Sequence, residues 1–266
     1  MSYLNFYILY QMKSAKILFL SLLFVMLAAC GKEEKDSTAV RLVGRVDIFR
    51  TESGSIENDQ TIEYRYDEQN RISEMIITDE NGVSVSSVFN YPTDNIVEGG
   101  GGSVTYMLNS KGSIVSWSYG NQLMQSCTYD PNGYLQKREQ SSFGAIPVTN
   151  SETYTWGNGN ISTIVIEVSL HSDPPVSYST TLFFEYSLQN KPSSVEFYRE
   201  CVGVPRGWYG KSALNLPSRI TNKSAGFDEQ ITIYRYETDK KGYPIKIFIQ
   251  ENGGNEELCT VIEYKN

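Results

Sequence analysis

Few side chains in this sequence could carry out catalysis, and none stands in a recognisable catalytic arrangement. The chain of 266 residues has one histidine, His171, which follows an apolar run and precedes two prolines. Asp173 or Glu167 could orient its ring, but no serine or cysteine nucleophile motif lies nearby. We therefore interpret His171 as a loop histidine and expect no histidine-dependent catalysis.

Acidic side chains are frequent, and several could be combined into a carboxylate pair or a calcium site. The candidates are Asp67, Glu68, Asp79, Glu80 and Asp130. No twelve-residue loop with the oxygen-ligand spacing of a calcium site accompanies them. Because turns normally collect acidic residues, the sequence predicts no catalytic residue, no metal site and no cofactor, and the protein is not expected to be an enzyme.

Cys30 is the one residue whose surroundings specify a reaction. Lys13 and Lys16 precede an uncharged apolar run, 17–29, that is shorter than the roughly 20 residues of a membrane-spanning helix. The run ends in Leu27-Ala28-Ala29-Cys30, which resembles the lipobox of bacterial lipoproteins. That resemblance implies that the Cys30 thiolate accepts a diacylglyceryl group. The alternative is an ordinary signal peptide with a chance cysteine.

The lipobox divides the chain into three parts. Residues 1–29 are predicted to be a signal peptide whose true start is Met12, residues 30–40 a lipidated flexible tether, and residues 41–266 a single domain. The acidic cluster after Cys30 resembles the export signal of Bacteroidetes surface lipoproteins, with a solvated linker as the alternative. We expect a lipid-anchored outer-membrane protein, on the cell surface rather than the periplasmic face.

Composition limits the partners and the cysteine chemistry. With 31 acidic and 23 basic side chains the formal net charge is -8, so nucleic-acid binding is not expected. Cys127, Cys201 and Cys259 remain after cleavage, an odd number for an oxidising compartment. Buried free thiols are the favoured interpretation, because Cys127 and Cys259 lie in strand-like runs, and one disulfide with one spare thiol is the alternative.

Past residue 40 the hydrophobic pattern has the period of β-strands. Apolar and polar side chains alternate over 42–48, 164–170, 178–186 and 245–250, and Asn-Gly pairs mark tight turns. Each run is apolar on one face only, as in an antiparallel sheet with one solvated face. The sequence predicts an all-β, up-and-down antiparallel meander of roughly a dozen strands, forming a soluble barrel or a strongly curved half-barrel.

A weak repeat marks the predicted strand ends: an apolar residue, any residue and an aromatic, followed by a turn. Tyr64-Arg65-Tyr66 leads into Asp67, and Cys127-Thr128-Tyr129 leads into Asp130. We interpret the aspartates as forming Asx-turns and the aromatics as covering strand ends with their hydroxyls in water. A ladder that stacks on sugars or bases is the alternative.

These motifs resemble two known groups of proteins. The run 64–72 is similar to the tyrosine-aspartate repeats of large secreted β-shell proteins. The lipobox, the irregular spacing, the stretch 209–217 and the closing Ile262-Glu263-Tyr264 resemble more closely a Bacteroidetes lipoprotein family of unknown function described as having a porin-like fold. The resemblance covers 40–266 and implies a barrel, but it brings no catalytic residues.

The predicted barrel need not be a membrane pore. Glu63 and Arg65 lie on the face opposite the apolar one, and a charge in the middle of a bilayer costs about 2–4 kcal/mol. We expect apolar faces inside and a non-enzymatic, lipid-anchored envelope protein that binds an apolar or amphipathic ligand in or at the barrel mouth, which requires a cavity of about 300 Å³. The alternatives are a surface glycan-binding or adhesion lipoprotein and a structural partner of an outer-membrane complex.

The candidate ligand-binding residues are Trp208 and Tyr209. They lie in 200–217, the longest stretch without alternation, where they could stack on a sugar or close over an acyl chain. The alternative is a plug that packs its aromatic side chains under the barrel mouth.

Overall fold

The structure is a computed structural model that describes residues 40–52, 55–142, 147–172, 174–191, 195–197, 203–205 and 207–265. The predicted signal peptide, the lipidation residue Cys30, nearly all of the tether and Cys201 lie outside the described residues. The described chain consists of β-strands, turns and one short 3₁₀ helix, which confirms the all-β prediction. No helix within it is long and apolar enough to span a membrane.

The strands follow one another with short turns between most of them. Their bounds are β1 (Val43–Glu52), β2 (Ser55–Tyr66), β3 (Ile72–Asp79), β4 (Ser84–Val88), β5 (Asn90–Thr93), β6 (Ile96–Gly99), β7 (Val104–Leu108), β8 (Ile114–Tyr119), β9 (Gln122–Tyr129), β10 (Leu135–Ser142), β11 (Val148–Gly157), β12 (Asn160–Leu170), β13 (Val176–Gln189), β14 (Val195–Phe197), β15 (Gly203–Pro205), β16 (Asn215–Ser224), β17 (Gln230–Thr238), β18 (Pro244–Glu251) and β19 (Glu256–Tyr264). The 3₁₀ helix spans Gly100–Gly102, between β6 and β7.

Seventeen of these strands form one antiparallel sheet that curls back on itself. β1 pairs with β2 on one side and with the last strand, β19, on the other. β13 pairs with β16, across the connection that holds the small separate sheet of β14 and β15. β4 and β5 act as two halves of one strand around Phe89, because β4 pairs with β3 whereas β5 pairs with β6. The result is a nearly closed up-and-down barrel.

The barrel has more strands than the roughly dozen predicted from the hydrophobic pattern. The difference arises mainly from β4 to β8, which contain four to six residues each. In runs this short, alternation does not stand out from the flanking turns.

Because successive strands run in opposite directions, the turns fall into two groups at opposite ends of the barrel. The chain enters β1 and leaves β19 at one end, where the Lys265 N–H donates to the Leu42 carbonyl at 2.8 Å. We call this the entry end and the opposite one the far end. The entry end also carries the turns 67–71, 94–95, 109–113, 130–134, 158–159 and 239–243 and the long connection 190–214.

The Asx-turns predicted from the repeat are present at the entry end. Oδ1 of Asp67 accepts hydrogen bonds from the backbone N–H groups of Gln69 and Arg71, both at 2.9 Å. Side-chain oxygens of Asn109, Asp130 and Asp239 accept from turn N–H groups in the same way. The carboxylates therefore satisfy backbone donors that the turns would otherwise leave without a partner.

Aromatic side chains tie neighbouring strands together at the entry end. In seven of the strands that run toward this end, a terminal tyrosine O–H or tryptophan N–H donates to a backbone carbonyl near the start of an earlier strand, at 2.6–3.0 Å. Donor first, the pairs are Tyr66–Val43, Tyr91–Ile72, Tyr129–Ile114, Trp156–Leu135, Tyr186–Ile161, Tyr236–Pro217 and Tyr264–Pro244. We call this set the aromatic ladder.

The aromatic ladder corrects one expectation. The side chains cover strand ends as predicted, but their hydroxyls are not left in water. The acceptor residues Val43, Leu135 and Ile161 lie at register shifts in the pairing of their own strands. Because such a shift disrupts the regular hydrogen bonds of the sheet, backbone carbonyls near it can accept from a side-chain donor instead.

The inward faces form a continuous apolar core. One cluster of buried side chains includes Val46, Ile62 and Tyr106, and a second includes Leu135 and Ile164. Two side chains pack against both clusters, namely Tyr209 and Tyr234. The two clusters therefore meet, and apolar side chains fill the barrel where they do so.

Removing one hydroxyl of the aromatic ladder should destabilise the barrel. Tyr236→Phe keeps the ring but leaves the carbonyl of the buried Pro217 without its donor, so we expect the free energy of unfolding to fall by about 1–3 kcal/mol. Tyr119→Phe is the matched control, since Tyr119 is 59% exposed. It should change stability by less than about 0.5 kcal/mol in the same chemical denaturation experiment. If both variants change the free energy of unfolding by equal, small amounts, the hydroxyls of the aromatic ladder do not stabilise the barrel.

Candidate functional site

Residues 207–214, the last part of the connection between β13 and β16, lie over the entry end of the barrel. Trp208 is 0% exposed, and its ring packs on Tyr106 with 5.2 Å between ring centroids. Its carbonyl accepts hydrogen bonds from the Ile114 N–H at 2.9 Å and from the Tyr129 hydroxyl at 3.3 Å. We call residues 207–214 the plug segment.

Gly210 allows the plug segment to approach the barrel turns closely. Its φ is +83°, and a Cβ there would lie 2.3 Å from the carbonyl oxygen of Gly133, so only glycine fits. The Lys211 N–H then donates to the same carbonyl at 2.9 Å, and the Leu214 N–H donates to the Gly159 carbonyl at 3.0 Å. Backbone hydrogen bonds thus pin the plug segment across several turns.

Trp208 is a predicted ligand-binding residue, and the structure places it in the core. Its indole has no exposed face, as the alternative of a plug requires. Trp117, another tryptophan that a sugar-binding surface could have used, is also buried, with 7% exposure. Neither side chain is therefore available for stacking on a glycan.

Tyr209, the second predicted binding residue, lies on the inner side of the plug segment. Its ring centroid is 5.2 Å from the guanidinium carbon of Arg138, a cation–π geometry. The side-chain amide of the buried Gln125 donates to the Tyr209 hydroxyl at 3.4 Å. The ring also borders a small pocket at the entry end.

A buried ion pair adjoins Tyr209. Arg138 of β10 lies opposite Glu152 of β11 in the strand register, and its Nη2 donates to Oε1 of Glu152 at 2.7 Å. The Glu152 side chain is 1% exposed, and the Tyr154 hydroxyl donates to its other carboxylate oxygen. Because each charge is paired and hydrogen-bonded, the pair is tolerated inside the barrel.

The sequence analysis did not identify this pair, although a partial signal was available. Because side chains alternate between the two faces of a strand, Glu152 lies on the same face as Tyr154 and Trp156. Sharing a face with two aromatic side chains is unusual for an exposed glutamate. Its contact with Arg138, however, depends on the register between β10 and β11, and one sequence does not reveal that register.

The cysteine predictions have mixed outcomes. Cys127 is a buried free thiol, as the favoured interpretation expects, and burial raises its pKa to about 11. It is therefore protonated and unreactive at neutral pH. Cys259 is disulfide-bonded, so the favoured interpretation is wrong there. A strand-like pattern indicates that a thiol is buried, and it carries no information on what lies beside the sulfur.

The pocket at the entry end lies between the plug segment and the barrel wall and has a volume of about 50 Å³. Its apolar lining comes from Leu135, Tyr154, Trp156, Ile161, Phe184, Tyr186, Tyr209, Ala213, Leu216 and Pro217, and its polar lining from Asn190, Lys211, Ser212 and Asn215. This volume admits a few waters or the end of an alkyl chain, since one water needs about 10–15 Å³. It falls well short of the roughly 300 Å³ expected of a pocket that encloses a ligand. A ligand can therefore be held here only in part.

The other candidate residues from the sequence analysis are His171 with its possible partners Asp173 and Glu167, and the acidic residues of the turns. His171 lies at the far end, where its Nε2 is 3.1 Å from Thr149 Oγ1, while Asp173 lies outside the described residues. Glu167 is exposed on β12. Within the described part of the chain, no three His, Cys, Asp or Glu side chains come close enough together to hold a metal ion.

The solved structures that resemble this barrel include two porin-like proteins. A porin-like protein from Bacteroides uniformis ATCC 8492 matches with a TM-score of 0.50 and 13% identity, over 84% of this chain and 98% of that one. A porin-like protein from Bacteroides vulgatus ATCC 8482 has a TM-score of 0.49 and 13% identity, over 85% and 99%. No protein-family model and no curated protein matches the chain. The likeness to the first protein confirms the porin-like fold and carries no function.

Breaking the buried ion pair should cost far more stability than breaking an exposed one nearby. Glu152→Gln leaves the Arg138 charge buried without its counterion, and we expect a loss of about 3–5 kcal/mol. Glu139→Gln is the control, because Glu139 pairs with Lys137 at 2.8 Å in an exposed position and should matter by less than about 1 kcal/mol. Both values come from chemical denaturation. If Glu152→Gln lowers the free energy of unfolding no more than Glu139→Gln does, water must reach the buried pair.

Proposed function

We propose that this protein is a non-enzymatic, lipid-anchored envelope protein that binds a small anionic amphiphile at the entry end of its barrel. The observation that carries the ligand part is the pocket beside Tyr209, which is apolar inside and has Lys211 in its lining. The lipid anchor rests on Cys30 and its lipobox.

The geometry of the chain start supports a tethered barrel. Leu42 is hydrogen-bonded to Lys265 at the entry end, so the residues that precede Val43 leave the barrel there. Cys30 lies ten residues before Val40, which limits the tether to about 35 Å when fully extended. An acyl group on Cys30 would therefore keep the entry end near the membrane.

The outer wall of the barrel supports tethering rather than embedding. In the middle of β17, Arg235 bonds both carboxylate oxygens of Glu256, at 2.7 and 2.8 Å, in an exposed position. Arg65 pairs with Glu74 at 2.6 Å on another part of the wall. A charge at the position of Arg235 would cost about 2–4 kcal/mol at the middle of a bilayer, so this part of the wall suits water.

The pocket sets the class of ligand. Its volume accepts one end of an alkyl chain or a small ring, so the rest of the ligand must lie over the plug segment. Lys211 is exposed there, and its Nζ lies 5.4 Å from the centroid of the Tyr134 ring. A positive charge beside an apolar opening favours an anionic head group.

Filling the pocket should weaken amphiphile binding. Decanoate titrated into the protein should bind saturably in calorimetry with a negative heat-capacity change, as expected when apolar surface is buried. Ala213→Phe places a ring in the pocket lining and should weaken binding about tenfold or more, which corresponds to about 1.4 kcal/mol. Ala225→Phe, in an exposed far-end turn, is the matched control and should bind like the unmodified protein. Equal binding by both variants would refute this site.

The anchor is tested separately. Protein purified from the membranes of its source should begin at Cys30 and carry acyl chains, as read from the mass of its first peptide. Cys30→Ser should remove the acyl mass and release the barrel into the soluble fraction, because stable anchoring needs the acyl chains. An unmodified Cys30 on a processed chain would refute the anchor while leaving the ligand proposal intact.

A further inference from the structure

Lysines are distributed unevenly over the barrel. Six of the nine in the described residues lie on the entry end, and none of these six forms an ion pair with a carboxylate of the described chain. They are Lys111, Lys191, Lys211, Lys240, Lys241 and Lys265. The other three, in contrast, are paired: Lys137 with Glu139, Lys223 with Glu229 and Lys246 with Glu237.

The acidic groups of the entry end do not neutralise these lysines. Asp67 pairs with Arg71 at 2.7 Å, and Asp239 pairs with Arg41, while both carboxylates also close Asx-turns. Asp130 accepts the N–H of Tyr134 in the same way. Against the six lysines, the described entry-end turns and connection carry three further acidic residues, namely Glu68, Asp94 and Glu196. The charge that this end presents to solvent is therefore positive.

The far end has the opposite sign. Its described turns, 80–83, 100–103, 120–121, 171–172, 174–175, 225–229 and 252–255, contain no lysine or arginine. They carry Glu80, Asp228 and Glu229, and Glu251 and Glu256 flank the last of them. Glu80 pairs with Arg50, Glu229 with Lys223 and Glu256 with Arg235, so the uncompensated negative charge of these turns is that of Asp228 and Glu251. The charges are thus separated along the barrel axis.

Four of the entry-end lysines lie with their side chains along the barrel or its turns. The side chains of Lys111 and Lys211 both pass the Gly133 turn, and the side chain of Lys191 passes the Gly242 turn. Lys265 lies with its Nζ 4.8 Å from the ring centroid of Tyr66. Long side chains arranged in this way cover apolar surface and leave the ammonium group in water.

We infer that the entry end is a docking surface for anionic phospholipid head groups. Polybasic surfaces are attracted to anionic bilayers within about 10 Å at moderate salt, and the chain start that leads to Cys30 leaves the barrel at this same end. The barrel then stands on the bilayer with its acidic far end outward. In this arrangement the proposed acyl anchor tethers the protein, whereas the affinity for phospholipid head groups comes from the barrel itself.

The test uses the chain from Gly31 onward, without an acyl group. All strand pairings of the barrel lie between Val43 and Tyr264, so this chain contains the complete barrel. Co-sedimentation with vesicles of phosphatidylcholine mixed with phosphatidylglycerol should show binding at low salt. Binding should be absent with phosphatidylcholine alone and should be lost at about 0.5 M NaCl, where screening shortens the range of the attraction.

Two charge-matched variants locate the surface. Lys240→Glu combined with Lys241→Glu should weaken vesicle binding about tenfold or more, because it reverses two charges at the entry end. The control variant combines Arg50→Glu with Lys223→Glu, which changes the net charge by the same amount at residues that lie toward the far end. It should alter vesicle binding less than about twofold. Thermal unfolding checks that both variants retain the fold.

Failure of this inference differs from failure of the ligand proposal. No binding to vesicles with phosphatidylglycerol, equal binding to phosphatidylcholine alone, or equal losses in the two charge variants would each overturn it. Ala213→Phe should leave vesicle binding unchanged, and the Lys240 and Lys241 double variant should still bind decanoate. Vesicle binding that disappears with Ala213→Phe would mean that the pocket, not the lysines, holds the bilayer.

Discussion

The rest of the structure depends on how the space inside a wall of seventeen strands is filled. Membrane barrels of similar strand number enclose an aqueous channel when their inward side chains are polar. Here the inward faces are apolar, and Tyr209 and Tyr234 join the two core clusters. Trp208 adds a completely buried ring from the plug segment. Among the described residues the two clusters and Trp208 fill much of the interior with side chains, so the candidate site lies at one end of the barrel.

Local features of the fold could be predicted from the sequence, whereas contacts between distant strands could not. The Asx-turn at Asp67 depends on residues two and four positions later, and the alternation in β12 and β13 is visible along each strand. The ladder hydroxyls bond carbonyls 15–25 residues earlier, so their partners depend on register and on register shifts. A single sequence shows neither.

The same distinction applies to the candidate site. The prediction for Cys30 depends only on its immediate neighbours in the sequence, which resemble a lipobox. The pairing of Arg138 with Glu152 depends on the alignment of two strands. Trp208 belongs to a segment without periodicity, so the sequence pattern does not reveal its complete burial. The residue types alone suggest that these aromatic side chains stack on a ligand. Only the packing shows which of them have an exposed ring face.

The charge separation follows from the turn chemistry. At the entry end, Asp67 and Asp239 are held by turn N–H groups and by Arg71 and Arg41, so no carboxylate of the described chain pairs with the lysines of those turns. A net charge of -8 therefore does not describe this surface. A strand of about eleven residues is roughly 36 Å long, several times the screening length of about 10 Å at 0.1 M salt. An anionic surface near the entry end is thus attracted by the lysines there while the acidic far end is screened from it.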